Sequence, residues 1–160
     1  MKAVAIKELK TELENLSPKV LREICLRLSK FKKENKELLT YLLFESFDEA
    51  AYIENVKKEV DEQFEKINKK SNYIIKKALR KIFLNVKKYS RYSQNKQTEI
   101  DLLLYYCFKL KNFKPSIYNS TRLLNIYTGL IGLIRKKLAL LHEDLQFDLG
   151  QELKTLTGAD

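Results

Sequence analysis

Lysine and arginine repeated along one helix face can hold phosphates or carboxylates. Between Lys66 and Thr98 the chain carries Lys66, Lys69, Lys70, Lys76, Lys77, Arg80, Lys81, Lys87, Lys88, Arg91 and Lys96, with no acid. These 11 bases exceed the net charge of +10, so the rest of the chain is nearly neutral. Advancing about 100° per residue from Lys76, the residues Lys87, Arg80 and Arg91 fall at about 20°, 40° and 60°. Lys77, Lys88 and Lys81 follow at about 100°, 120° and 140°. Ile75, Ala78, Leu79, Ile82, Phe83, Val86 and Tyr89 occupy the opposite arc. This predicts one basic face and one core-facing face.

Three readings compete for that face: a solvated surface, a site for nucleic acid or another polyanion, and a contact for an acidic protein. Charge concentrated on one face is the electrostatic footprint of phosphate binding. Tyr73 and Tyr92 lie close enough to stack on bases. Membrane binding is not expected, because the apolar side is needed for a core. The candidate binding set is Lys76, Lys77, Arg80, Lys81, Lys87, Lys88 and Arg91. Leu84 interrupts the arc at about 80°, and is expected to tuck against a neighbouring helix and narrow the exposed patch.

Other chemistry finds little support. His142 is the only histidine. Read inside a helix, Glu143 and Asp144 diverge from it, being neither three nor four residues away. A metal site needs several convergent ligands, so no metal or cofactor is expected. A catalytic triad would depend on this one imidazole, there is no glycine-rich phosphate loop, and no catalytic residue is assigned. Gly129 and Gly132 suggest a close helix approach or a bend. Cys25 and Cys107 lack CxxC spacing and are expected to be small core residues in a reducing compartment.

The elements that position these residues are all predicted to be helices. The 160 residues include 4 Gly and 2 Pro, with 44% hydrophobic content, the makeup of one domain of about seven helices. The first helix spans about 3–15. Ser17-Pro18 caps and starts the second, and the polar stretch 32–36 separates it from a third. Asp48 caps the fourth and Ser71 the fifth, which runs over about 73–89. The sixth covers about 98–110, Asn112–Pro115 forms a loop, and one long helix occupies about 120–153. No stretch alternates with period two, so no strand is expected.

Three blocks recur in the same order. Leu21-Arg22-Glu23-Ile24 aligns with Leu79-Arg80-Lys81-Ile82, within a shared pattern L-R-x-I-x-L-x-[LV]-x-K-[FY]. Leu38–Phe44 aligns with Leu102–Phe108, and Glu8–Leu16 with Glu59–Ile67. This predicts two similar three-helix units (3–47 and 54–111) and a capping helix (116–154). The arrangement resembles helical repeat proteins in architecture, as a short α-solenoid-like array, and names no function. A compact helical bundle is the alternative. In the alignment Lys77, Arg80 and Lys88 match Lys19, Arg22 and Lys30, while Lys76, Lys81 and Lys87 replace Pro18, Glu23 and Ser29. Leu84 matches Leu26.

The N-terminus is charged and amphipathic, without the pattern of a signal peptide. The longest uncharged apolar run, Leu102–Phe108, is too short to span a bilayer. The expectation is a cytoplasmic, non-enzymatic interaction module whose basic face binds nucleic acid or an acidic protein. A protein–protein adaptor with no nucleic-acid role is the alternative, and an enzyme comes third.

Overall fold

The computed structural model describes residues 2–158, and all regular structure among them is helical. Eight α-helices follow in order: α1 (Ile6–Glu14), α2 (Pro18–Phe31), α3 (Lys33–Thr40), α4 (Glu49–Glu65), α5 (Asn72–Ser93), α6 (Lys96–Lys111), α7 (Thr121–Leu138) and α8 (Glu143–Thr157). A π-helical turn, Tyr41–Glu45, follows α3, and a 3₁₀ turn, Ile117–Asn119, precedes α7. The chain divides into two compact units, Met1–Phe44 and Glu45–Asp160.

Start signals act where the sequence places them. The Ser17 hydroxyl accepts from the Val20 N–H, with Pro18 in the first turn. Asp48 accepts from the Ala51 N–H, and Ser71 from the Ile74 N–H. Each satisfies one of the N–H groups that a helix start leaves without a partner. The break between α2 and α3 is narrower than the polar stretch suggests. Only Lys32 leaves helical geometry (φ −139°, ψ 144°), and Lys33–Lys36 are already in α3.

In the first unit α2 packs on α3, and no residue of α1, α2 or α3 is buried. Ile6 is 80% exposed and Phe31 78%. Cys25 is exposed, which corrects its expected place in a core; Cys107 is buried. Cys25 lies on a helix with too few neighbours to cover it.

The second unit is built around α6, which packs against α4, α5, α7 and α8. Ile100, Leu102, Leu103, Leu104, Tyr106, Cys107 and Leu110 are all buried. A helix that is apolar on nearly every side needs neighbours on nearly every side. The sequence-similar helices of the two units differ in burial: Leu79, Ile82 and Val86 are core residues, whereas Leu21 and Ile24 are half-buried and Leu28, the counterpart of Val86, is exposed.

The long C-terminal helix expected from the sequence is two helices. Arg135, Lys136 and Lys137 fill the last turn of α7, and Glu143 and Asp144 the first turn of α8. Cations at a C-terminus and anions at an N-terminus both oppose the helix dipole, so this charge order favours a stop and a restart. A single helix over 120–153 would extend about 50 Å. The break instead lets α8 pack on α6 and α7 and bury Leu149, Leu153 and Leu156. Lys111 Nζ and the Tyr127 hydroxyl donate to the Leu156 carbonyl, at 2.7 and 3.3 Å, and hold the end of α8.

Candidate nucleic-acid interface

The rotation of α5 about its own axis decides which side chains face outward. Ile75, Leu79, Ile82 and Val86 are buried, in the space shared with α4 and α6. Three hydrogen bonds fix that orientation: Tyr106 Oη donates to the Leu79 carbonyl (2.9 Å), Asn85 Nδ2 to Gln63 Oε1 (3.0 Å) and Tyr89 Oη to Glu59 Oε1 (2.7 Å). The C-terminal end is anchored through Glu49, which accepts from the hydroxyls of Ser93 and Thr98. Tyr52 Oη adds a bond to the Tyr89 carbonyl at 2.9 Å.

With the apolar stripe turned inward, the basic arc faces solvent. Lys76, Lys77, Arg80, Lys81, Lys87 and Arg91 are exposed, and Lys88 is half-buried. The Lys88 ammonium lies 4.7 Å from the Tyr89 ring centroid and the Lys87 ammonium 5.6 Å from that of Phe83. Lys76, Arg80, Lys87 and Arg91 form one row along the helix, with Lys77, Lys81 and Lys88 beside it. Leu84, between the rows, is 55% exposed, and Leu26 is 49% exposed. Neither tucks under a neighbouring helix, so Leu84 does not mark a covered part of the basic face. Of the expected stacking aromatics, Tyr73 is 75% exposed, whereas Tyr92 packs edge-on against Tyr89 with centroids 6.0 Å apart.

Several lysines elsewhere in the chain are paired. Lys57 meets Asp101 at 3.0 Å, Lys66 meets Glu62 at 3.1 Å, Lys109 meets Asp61 at 2.9 Å and Lys137 meets Glu99 at 2.8 Å. Among the described residues Lys76, Lys77, Arg80, Lys81, Lys87, Arg91 and Arg122 make no ion pair. The basic segment is thus divided: Lys66 is paired, Lys69 lies over the Phe113 ring at 5.2 Å, and α5 carries the open charge.

At its N-terminal end the basic face becomes concave. Asn72, Tyr73, Lys76, Lys77 and Arg80 on α5 line a cavity of about 410 Å³ with Ser120, Arg122 and Leu123 at the start of α7. Ser120 makes no side-chain capping bond to α7. Sequence reasoning missed Asn72, Ser120 and Arg122. A signal for Arg122 existed: residues 102–142 are also free of acid and contain seven bases.

A larger cavity, about 530 Å³, lies elsewhere in the same unit and includes Lys57, Asp101, Tyr105, Phe108 and Glu152 in its lining. Burial raises the Glu152 carboxyl above the ordinary range, and Asp101 adds to the effect. Burial also raises Tyr105, whose hydroxyl donates to Asp61 at 2.7 Å. Asp101 is already paired with Lys57, and His142 does not line this cavity. His142 is 74% exposed at the N-cap of α8, where Nδ1 accepts from the Asp144 N–H at 3.4 Å. Asp144 therefore approaches His142, contrary to the expectation, because the helix restarts there. No group of three or more His, Cys, Asp or Glu among the described residues could hold a metal ion. None of the described helices is long and apolar enough to cross a membrane.

The class that fold and surface define is an all-helical protein with an acid-free basic face. No protein-family model, curated protein or solved structure matches the chain.

Proposed function

We propose that this protein is a non-enzymatic binding module that docks nucleic acid through its phosphate backbone on α5. The observation that carries the reading is the row Lys76, Arg80, Lys87 and Arg91: exposed, without ion pairs, on a helix with no acid. Lys77 and Lys81 widen it. Lysine and arginine contacts to phosphate position a strand without reading bases, so binding is sequence-tolerant. A row on a rigid, tethered helix needs little ordering of the backbone on binding, which favours affinity. A mobility-shift titration at low salt tests this. Binding is expected for unrelated sequences alike, and Lys76→Glu/Lys81→Glu/Lys87→Glu abolishes it. No binding at low salt, or binding unaffected by the triple reversal, refutes the reading.

The adaptor reading has its own support in Met1–Phe44. Ile6, Phe31, Leu42, Leu43 and Phe44 are exposed, and α1–α3 bury nothing. Contiguous exposed apolar surface marks interaction sites. A protein partner that is retained after nuclease treatment, and lost on Phe31→Asp/Leu43→Asp, would favour it.

A further inference from the structure

The cavity between the starts of α5 and α7 differs from the rest of the basic face. At the far end Arg91 borders a smaller recess that includes Glu99; at Lys76 and Arg80 the face meets a second wall carrying Ser120 and Arg122 and no acid. We infer that this cavity recognises a strand end: it takes the terminal phosphate monoester of a nucleic acid whose backbone then follows the α5 row. The inference rests on the polyanion reading of α5.

Charge favours a monoester. Lys76, Lys77, Arg80 and Arg122 converge on the cavity, and no acid lines it. A backbone diester carries one negative charge, whereas a terminal monoester carries about −1.5 to −2 near neutral pH and presents three acceptor oxygens. Arg122 adds a forked donor opposite the lysines, suited to a terminal phosphate reached from more than one side.

Geometry favours an end. Lys76 and Arg80 belong to both the row and the cavity, so a strand on the row is led directly into it. There the strand meets Ser120, Arg122 and Leu123 at the start of α7. The starts of two helices, of 22 and 18 residues, border the cavity. Both contribute positive dipole ends, though the four side chains carry most of the charge. The Ser120 hydroxyl, with no capping bond, is a further donor. Tyr73, largely exposed at the rim, offers a face for the terminal base. The volume falls within the range of small-ligand sites.

The test uses one oligonucleotide sequence in three forms, with a 5′-phosphate, a 3′-phosphate or hydroxyls at both ends, followed by fluorescence anisotropy on the full chain. One phosphorylated form is expected to bind about tenfold tighter than the hydroxyl form, the gain of one further charge-assisted contact. Inorganic phosphate should reduce that preference. Arg122→Ala should bring the three forms within about twofold of one another, while Lys87→Ala should weaken all three in proportion. Matched thermal melts show whether the variants fold. Equal binding of all three forms by the wild type overturns the end site and leaves the polyanion reading standing. A preference that survives Arg122→Ala/Ser120→Ala in a folded protein overturns it as well. Absence of binding by every form overturns both.

Discussion

If the α5 row is the docking surface, its cations should set the salt dependence of binding. From Lys76 to Arg91 the helix rises about 22 Å, a distance matched by about six phosphates along one strand of B-form DNA. Four row cations on a single strand predict a slope of log K against log salt of about −2.8, or about 50-fold weaker binding between about 50 and about 200 mM salt. Engaging all six exposed candidates would raise the slope to about −4.2 and the loss to about 300-fold. The perturbation is Lys76→Ala/Lys87→Ala, which removes two row cations. With four engaged, the slope should halve to about −1.4 and the salt-induced loss should fall to about sevenfold. The control is Lys10→Ala/Lys33→Ala, which removes the same net charge from ammonium groups paired with Glu14 and Glu37. Its slope should match that of the wild type. Anisotropy titrations at four salt concentrations give both slopes. Equal slopes for the two double variants would refute the reasoning, because binding would then follow net charge and not the row.

Other outcomes follow from the same geometry. Leu84→Lys adds a cation between the two rows at a site 55% exposed; stability should change by no more than about 0.5 kcal/mol in denaturant titration while nucleic-acid affinity rises. Gly129→Ala should stabilise the protein by about 0.5–1 kcal/mol in the same assay, because an added Cβ meets nothing within 4 Å. Tyr106→Phe should cost about 0.5–1.5 kcal/mol by removing the bond to the Leu79 carbonyl. Burial raises the Cys107 thiol from 9.0 to about 12 and Tyr127 from 10.0 to about 12. The unfolded chain therefore releases these protons first, and their contribution, intact below about pH 9, should be lost as pH rises towards 12; melting temperatures from pH 8 to 11 measure it. A thiol reagent at neutral pH should modify Cys25 and spare Cys107 until the protein unfolds.

Helix identity was legible because its signals are local. Ser17, Asp48 and Ser71 cap the helices they were expected to cap, and Ile75, Leu79, Ile82 and Val86 recur on one face. The break after Leu138 was less legible because it contains neither glycine nor proline. Its signal was the change from Arg135-Lys136-Lys137 to Glu143-Asp144, which favours a stop only if charges are weighed against the helix dipole. The same two acids were set aside as partners of His142 on the spacing of a continuous helix; because a helix starts there, Asp144 does approach it. Gly129 and Gly132 misled in another way. The space beside their backbones is open, so neither a close helix approach nor tight packing explains them. Burial is a tertiary property, and the similar sequences around Leu28 and Val86 did not reveal which one would be covered.

The candidate site was half legible for a related reason. A helical wheel finds cations on one helix, and it found Lys76, Lys77 and Arg80. It cannot bring Arg122 to them from 42 residues beyond Arg80; only packing of the second unit does that. Nor can a wheel distinguish charge that is open from charge already paired. Lys57, Lys109 and Lys137 would add to any count of bases, yet each meets a carboxylate. What marks α5 is therefore the absence of any acid from its own 22 residues, together with six exposed cations that make no ion pair among the described residues. Glutamate serves helix formation and solubility as well as lysine does, so neither by itself requires a face of one sign. A merely solvated face could mix the two signs at no cost and gain pairs four residues apart. Keeping that face free of acid forgoes those pairs and keeps its cations mutually repelled, a cost that an approaching polyanion would reverse.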